Sequence, residues 1–281
     1  MHYGSSIGAI AVAAMLCVSA GGVQGAEDSK YPDWAGKWRR AEGGPPRYDP
    51  SKPRGLGQQA PLTAEYQKVF DESLAAQAAG GQGNDPTYTC LPVGMPRQLT
   101  SGFPIEMIIT PQTTYWLYES SFSTTRRIHT DGRDWPKNEE PTFGGYSIGK
   151  WLDTDGDGRY DMLEIETRNM KGPRAFDNSG ALLHKDNETI VKERLYGDKT
   201  KPDSIFNEVT TIDKALTRPW TVTKNYLRVK NPTWPEDNCS ENNNHVEING
   251  EGYFFSADGY LMPTRKDQPP PDLRYFKPAS R

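Results

Sequence analysis

The feature that most constrains this chain is a succession of eight short segments with two-residue apolar alternation, from Met107 to Val229. MIITPQTTYWLYESS reads as two strands about a Pro-Gln turn, with Tyr115, Leu117 and Glu119 on one face and Trp116 and Tyr118 on the other. TTRRIHTDGR is a strand running into an Asp-Gly turn, and YSIGKWL and MLEIET flank an acidic loop. ETIVKERLYG and SIFNEVTTID meet at DKTKPD, and WTVTKNYLRV closes the series. Alternation of this kind makes a half-buried sheet, and short links make neighbours antiparallel. A meander with so many strands removes its edges most simply by closing, so the expected fold is mostly β, an antiparallel meander closed into a barrel.

One helix precedes the strands. Thr63 is a capping residue, Tyr66, Phe70, Leu74 and Ala78 recur at helical spacing, and Gly80-Gly81 ends the run. Upstream, Trp34-Ala-Gly36-Lys-Trp38 carries a Gly-x-Trp that resembles the first strand of lipocalin-like (calycin) barrels, in which the Trp plugs one end beneath an Arg. The expected organisation is a signal peptide over 1–25, an extended Pro/Gly-rich arm with the Gly-x-Trp strand over 26–62, a helix-plus-barrel domain over 63–262 and an extended tail over 263–281.

The signal-peptide reading rests on the uncharged run from Ile7 to Ala20 and on Val23 and Gly25 at the −3 and −1 positions before Ala26, although no Lys or Arg precedes the run. The run is too short to span a bilayer, and no later segment is apolar for long enough. Export to the periplasm or beyond is expected. Processing removes Cys17 and leaves Cys90 and Cys239, which in an oxidising compartment are expected to pair. The formal charge of −4 argues against nucleic acid as partner.

Several stretches, PLTAEYQKVFDESLAAQAAG, DPTYTCLPVGMPR, RRIHTDGR, EEPTFGGYSIGKW, RPWTVTKNYLR and CSENNN, resemble as an ordered set a family of exported bacterial proteins with no agreed activity. The resemblance implies a secreted domain of this layout and supplies no reaction. The chain departs from the family pattern at two places. Relatives have a short turn after Gly-x-Trp where Trp151 is followed here by LDTDGDGRYD, and Tyr is commoner where this chain has His129.

That longer turn is the strongest motif for chemistry. Asp153, Asp155 and Asp157 occupy alternate positions and Gly158 permits a sharp turn, so the carboxylates can converge. The Arg159 carbonyl and Asp161 complete a set of hard oxygen donors suited to Ca2+. Glu164 falls where an EF-hand has its last ligand, but Gly144, Gly145 and Gly149 oppose a helix on the entering side, and Leu163, Ile165 and Thr167 alternate like a strand on the leaving side. A calcium-binding β-hairpin is expected. The alternative is a solvated acidic turn.

For acid–base chemistry, Arg127, His129 and Asp131 share one strand face, and Glu119 can join them if that face lines the barrel. If it faces solvent, they form an ordinary charged stripe. His184 and His245 lie in polar surroundings. No nucleophile elbow, phosphate loop, zinc-protease or dinucleotide fingerprint is present. The leading expectation is a module that binds a small apolar or aromatic molecule, with Tyr115, Trp151 and Tyr226 as ligand walls. The alternatives are a cofactor-independent lyase, hydratase or isomerase using His129 and Glu119, and a structural cell-surface protein.

Overall fold

The computed structural model of the chain describes residues 30–41, 60–81, 83–89, 91–100, 102–120, 125–177, 180–234, 245–248, 251–255 and 260–269. The segment 1–25, most of the Pro/Gly-rich arm, Cys90, Cys239 and most of the C-terminal tail lie outside them. Nine strands close into one barrel in sequence order. They are β1 (Gly36–Arg40), β2 (Ile105–Ile109), β3 (Thr113–Tyr118), β4 (Arg126–His129), β5 (Tyr146–Leu152), β6 (Met162–Arg168), β7 (Ile190–Asp198), β8 (Lys201–Ile212) and β9 (Trp220–Arg228). Closure is made by β1 on β9, with Trp38 opposite Arg228 and Arg40 opposite Tyr226. The mostly-β barrel expected from the alternation is present, and the Gly-x-Trp strand is its first member.

One seam departs from the expected antiparallel order. β4 and β5 run parallel, with Ile128 opposite Ser147 and His129 opposite Ile148. A parallel pair cannot be joined by a tight turn, and residues 130–145 make the necessary crossover. The Asp131-Gly132 turn begins that crossover rather than a hairpin. Gly149 sits against the seam, where a Cβ would lie 2.7 Å from Ile128 Cγ2 and 3.2 Å from Leu163 Cδ1.

The two ends of the barrel are closed differently. At one end Trp38, fully buried, donates its indole N–H to the Trp34 carbonyl at 2.9 Å. The Arg228 guanidinium lies 4.5 Å from the Trp38 ring and donates to the Ala35 carbonyl. Trp34 packs on Trp151 at 5.6 Å between ring centroids, which adds a second aromatic layer. At the other end of β9, near Trp220, a 3-10 turn over Arg97–Thr100 drops Gln98 and Leu99 into the mouth. That turn is held by the Tyr226 hydroxyl on the Leu99 carbonyl (2.8 Å), by Arg40 on the Thr100 carbonyl (2.7 Å) and by a two-bond Arg97–Asp85 fork.

Helix α1 (Ala64–Ala78) starts where the sequence places it, with the Thr63 hydroxyl accepting from the Tyr66 N–H. Its buried face is narrower than the spacing suggests. Phe70 and Ser73 are buried, whereas Leu74 is 39% exposed. The helix entrance is tied to the β8–β9 connection by the Thr63 N–H on the Ala215 carbonyl, so α1 stands beside the mouth. A second sheet of β10 (His245–Ile248), β11 (Glu251–Phe255) and β12 (Leu261–Pro263) follows the barrel. The chain at 263–269 is therefore more than a tail. Pro263 ends a strand, and the Gln268 amide donates to the Gly252 carbonyl at 2.7 Å. Among the described residues no helix is long and apolar enough to cross a membrane.

The β4–β5 seam makes one position diagnostic. Gly149→Ala should cost about 1–3 kcal/mol through overpacking against Ile128 and Leu163, read as a lower urea midpoint with an unchanged slope. A neutral result would mean that the seam is looser than described.

Candidate functional site

The barrel interior is polar at its middle. Arg126 and Glu193 are each 2% exposed and face each other from β4 and β7. Two Arg126 nitrogens donate to the two Glu193 oxygens, Nη1 at 3.1 Å and Nη2 at 2.5 Å. Nη2 also reaches the Thr167 hydroxyl at 2.7 Å, and Nε reaches Ser147 at 3.1 Å. The Asn207 amide donates to Glu193 at 2.8 Å, and Ser147 and Thr167 share a hydrogen bond of 2.8 Å. Burial works against the charge on Arg126, but the Glu193 carboxylate more than offsets it and leaves the pKa raised. Arg126 is thus held charged inside the protein.

Around this pair lie buried polar atoms that make no well-formed hydrogen bond, although the Tyr118 hydroxyl lies within reach of the Gln98 amide and of Arg126. They are both amide atoms of Gln98, the Thr114 hydroxyl, the Trp116 indole N–H, the Tyr118 hydroxyl and Asn207 Oδ1. Gln98, Thr114, Trp116 and Asn207 are at most 1% exposed. They form one neighbourhood. Arg126 stands over the Trp116 ring at 5.4 Å, Trp116 meets Tyr226 edge-on at 6.2 Å, and Asn207 is bonded to Glu193. Burial raises the Tyr118 pKa, so its phenol stays protonated and can donate or accept. An orphaned buried polar group costs about 1–3 kcal/mol, and a group of them in one place marks a site for water or a ligand.

The sequence singles out none of these residues as chemical, though the signal is present. Arg126 lies two residues before Ile128, Glu193 between Val191 and Leu195, and Asn207 between Ile205 and Val209. Each is a polar residue at an inward-facing position of an alternating strand. A buried polar residue at an apolar position was the informative pattern.

The residues chosen for acid–base chemistry fall elsewhere. Trp116 and Ile128 are buried inside, and alternation then turns Tyr115, Arg127 and His129 to the outer face. His129 stacks near Tyr146 at 5.0 Å, and Asp131 is taken by Arg133 rather than by the imidazole. Partial burial first, and Arg133 second, lower the His129 pKa, so it is neutral at pH 7. Glu119 is paired with Lys37, which is 4% exposed and also donates to the Thr233 carbonyl. His129 is in register with Thr113, six positions before Glu119. At ~3.3 Å per residue the two are about 20 Å apart. The expected His129–Glu119 pair is therefore not assembled.

The ligand-wall residues divide. Tyr115 is on the outer face, across from Arg127. Tyr226 is inside with its hydroxyl committed to Leu99. Trp151 is inside among Trp34, Tyr31 and Tyr160, and its indole N–H has no partner.

The acidic loop joins β5 to β6. Asp153, Asp155 and Asp157 converge, with one oxygen from each within 4.8 Å of the others. Asp153 folds the loop by accepting from the N–H groups of Gly156 (2.7 Å), Gly158 (2.9 Å) and Asp157 (3.2 Å). Gly156 and Gly158 have φ of 76° and 88°, values that a side chain would strain. Asp161 stands outside this trio. Both its oxygens bond Thr154, one to the backbone N–H at 2.9 Å and one to the hydroxyl. Burial works against its ionised form, yet those bonds leave its pKa lowered. Arg159 donates its N–H to Asp157. Three exposed carboxylates converging without a strong cation can hold a hard divalent ion, since Lys199 only approaches Asp155 at 3.8 Å.

The chain matches no protein-family model, no curated protein and no solved structure.

Breaking the interior pair should be costly. Glu193→Gln leaves a buried guanidinium without its counter-charge and should destabilise the protein by about 3–5 kcal/mol in urea unfolding. The double change Arg126→Met with Glu193→Leu removes both charges and should recover most of that loss. If the double variant unfolds as easily as the single one, the pair is not the interaction being lost.

Proposed function

We propose that the chain is an exported, calcium-stapled β-barrel that binds one small molecule with an apolar or aromatic body. The observation that carries the reading is the group of unpartnered polar atoms on Thr114, Trp116 and Asn207 inside a closed barrel, together with the loosely satisfied Gln98 and Tyr118. An ordinary filled core satisfies such groups or replaces them with apolar ones. Trp116 and Tyr226 offer aromatic surface beside them, and a barrel of about this strand number encloses one small ligand. The acid–base alternative has no such support, because Glu119 is engaged by Lys37 and His129 faces outward.

The space at the mouth, among Leu99, Phe176, Trp220 and Lys224, is about 20 Å3, room for a water. A larger occupant enters when the Arg97–Thr100 turn withdraws, which requires the Tyr226–Leu99 bond and the Arg97–Asp85 fork to yield. The periplasm or the cell exterior as location, and a Cys90–Cys239 disulfide, belong to the same proposal. They follow from residues 1–25 and from the cysteine count.

Incubating the purified protein with a mixed aromatic and terpenoid library, followed by native mass spectrometry, should show one compound bound per chain and released unchanged. Recovery of a converted compound would move the protein to the enzymes, and no adduct from any compound class would leave the barrel as a structural element.

Calcium acts in this reading through the β5–β6 hairpin, where one ion would neutralise the Asp153, Asp155 and Asp157 cluster. Extracellular sites of this type bind at about 10⁻⁴–10⁻³ M, and at ~100 times its dissociation constant the ion stabilises by about 2.7 kcal/mol. Calcium should therefore raise the thermal midpoint of the wild type and leave that of Asp155→Ala unmoved. Equal midpoints for both proteins with calcium and with chelator would remove the ion from the account.

A further inference from the structure

The orphaned atoms inside the barrel differ in kind, and the difference narrows what fits. Trp116 Nε1 can only donate, Asn207 Oδ1 and Gln98 Oε1 can only accept, and the Gln98 amide nitrogen donates. The Thr114 and Tyr118 hydroxyls do either. Nothing among them favours an ion. The charged groups at this depth are Arg126 and Glu193, which neutralise each other, and Arg40 beside Tyr226 is held on the Thr100 carbonyl. Each Glu193 oxygen already accepts, and Arg126 donates to Glu193, Ser147 and Thr167. Lys224, buried on the same wall nearer the mouth, has an interaction of its own. A carboxylate placed here would lose its water and gain no uncommitted cation. A hydrocarbon would leave both donors and acceptors as bare as before.

We propose that the occupant is an uncharged aromatic molecule carrying a hydrogen-bond donor and an acceptor side by side, of the carboxamide or lactam class. This rests on the reading of the barrel as a small-molecule binder. An amide edge presents N–H and C=O a short distance apart, the complement of a site that offers an acceptor on Asn207 or Gln98 and a donor on Trp116 or Gln98. Its ring takes the Trp116 and Tyr226 faces, which meet edge-on and leave an apolar corner. Because the free space at the mouth is about the size of a water, the ring is admitted by displacement of Leu99, which lines that space, while Gln98 stays in the site as a partner of the amide.

The test uses full-length protein, labelled with nitrogen-15, in calcium buffer, with three probes of one size: benzamide, benzoate and toluene. The readout is the Trp116 indole N–H resonance, assigned by its loss in Trp116→Phe. Benzamide should shift it saturably, with an apparent affinity on the order of tenfold above benzoate and toluene, the margin of one well-made hydrogen bond to a buried group. In Gln98→Leu, checked for folding by its thermal midpoint, that preference should fall while toluene binds at least as well as before. If Trp116→Phe does not fold, Gln98→Leu alone carries the comparison through tryptophan fluorescence. Benzoate or toluene matching benzamide at this resonance would overturn the ligand class and leave the binding reading standing. A Trp116 resonance that no probe moves, with ordered water alone at these atoms, would overturn both.

Discussion

Arg126 enters the barrel from β4 and reaches across it, bonding Ser147 on β5, Thr167 on β6 and Glu193 on β7, which in turn accepts from Asn207 on β8. Five consecutive strands therefore share one buried network. Such a network has little tolerance for a slipped register, because moving any of these strands by one residue would turn its member outward and strand the others. The parallel β4–β5 seam lies inside this span. It lacks the short turn that fixes register in the β2–β3, β5–β6 and β7–β8 hairpins, and the Arg126–Ser147 bond together with the close fit of Gly149 against Ile128 performs that task.

The closures at the two ends follow from what the middle requires. Closing the ends takes the charged pair out of water, a cost that its two-bond geometry and the added hydrogen bonds from Ser147, Thr167 and Asn207 offset. At one end Trp38, Trp34 and Trp151 form an apolar floor with Arg228 on its outside. At the other, the Arg97–Thr100 turn is pinned by polar bonds that can exchange with water. The floor is built of packed rings, whereas the turn is held by a hydroxyl, a carbonyl and an ion pair, which are directional bonds and few in number. In the proposed binding reading, the Gln98 end is the one that would serve as the entrance.

The acidic loop is placed by the same hairpin that carries Ser147 and Thr167. Leu152 and Met162 are paired at its base, and the Asp161 N–H donates to the Leu152 carbonyl at 2.9 Å. Tyr160 and Trp151 pack against Tyr31 beside it. An ion held by Asp153, Asp155 and Asp157 would thus stiffen the end of two strands that also build the interior network. It lies on the Trp-floor side, away from the mouth, which suits a staple of the hairpin.

Much of this was legible in the residues. Period-2 alternation determined the strands, Thr63 and Gly80-Gly81 the helix bounds, and the spacing of Asp153, Asp155, Asp157 and Gly158 the folded acidic turn, because each depends on neighbours in the chain. What lay beyond the sequence depends on contacts distant along it. Alternation puts His129 and Arg127 on one face but does not say which face is inside. That was decided by closure, which buried Trp116, Ile128 and Arg126 and turned the His129 face to the outside of the barrel, where His129 is half-buried against Tyr146. Spacing offered Asp161 to the ion, whereas Thr154 supplies both of its hydrogen bonds. The parallel seam, the Lys37–Glu119 pair and the meeting of Arg126 with Glu193, 67 residues later, arise only when a sheet closes on itself. Local periodicity determines which residues can share a face, and closure alone decides what that face encounters.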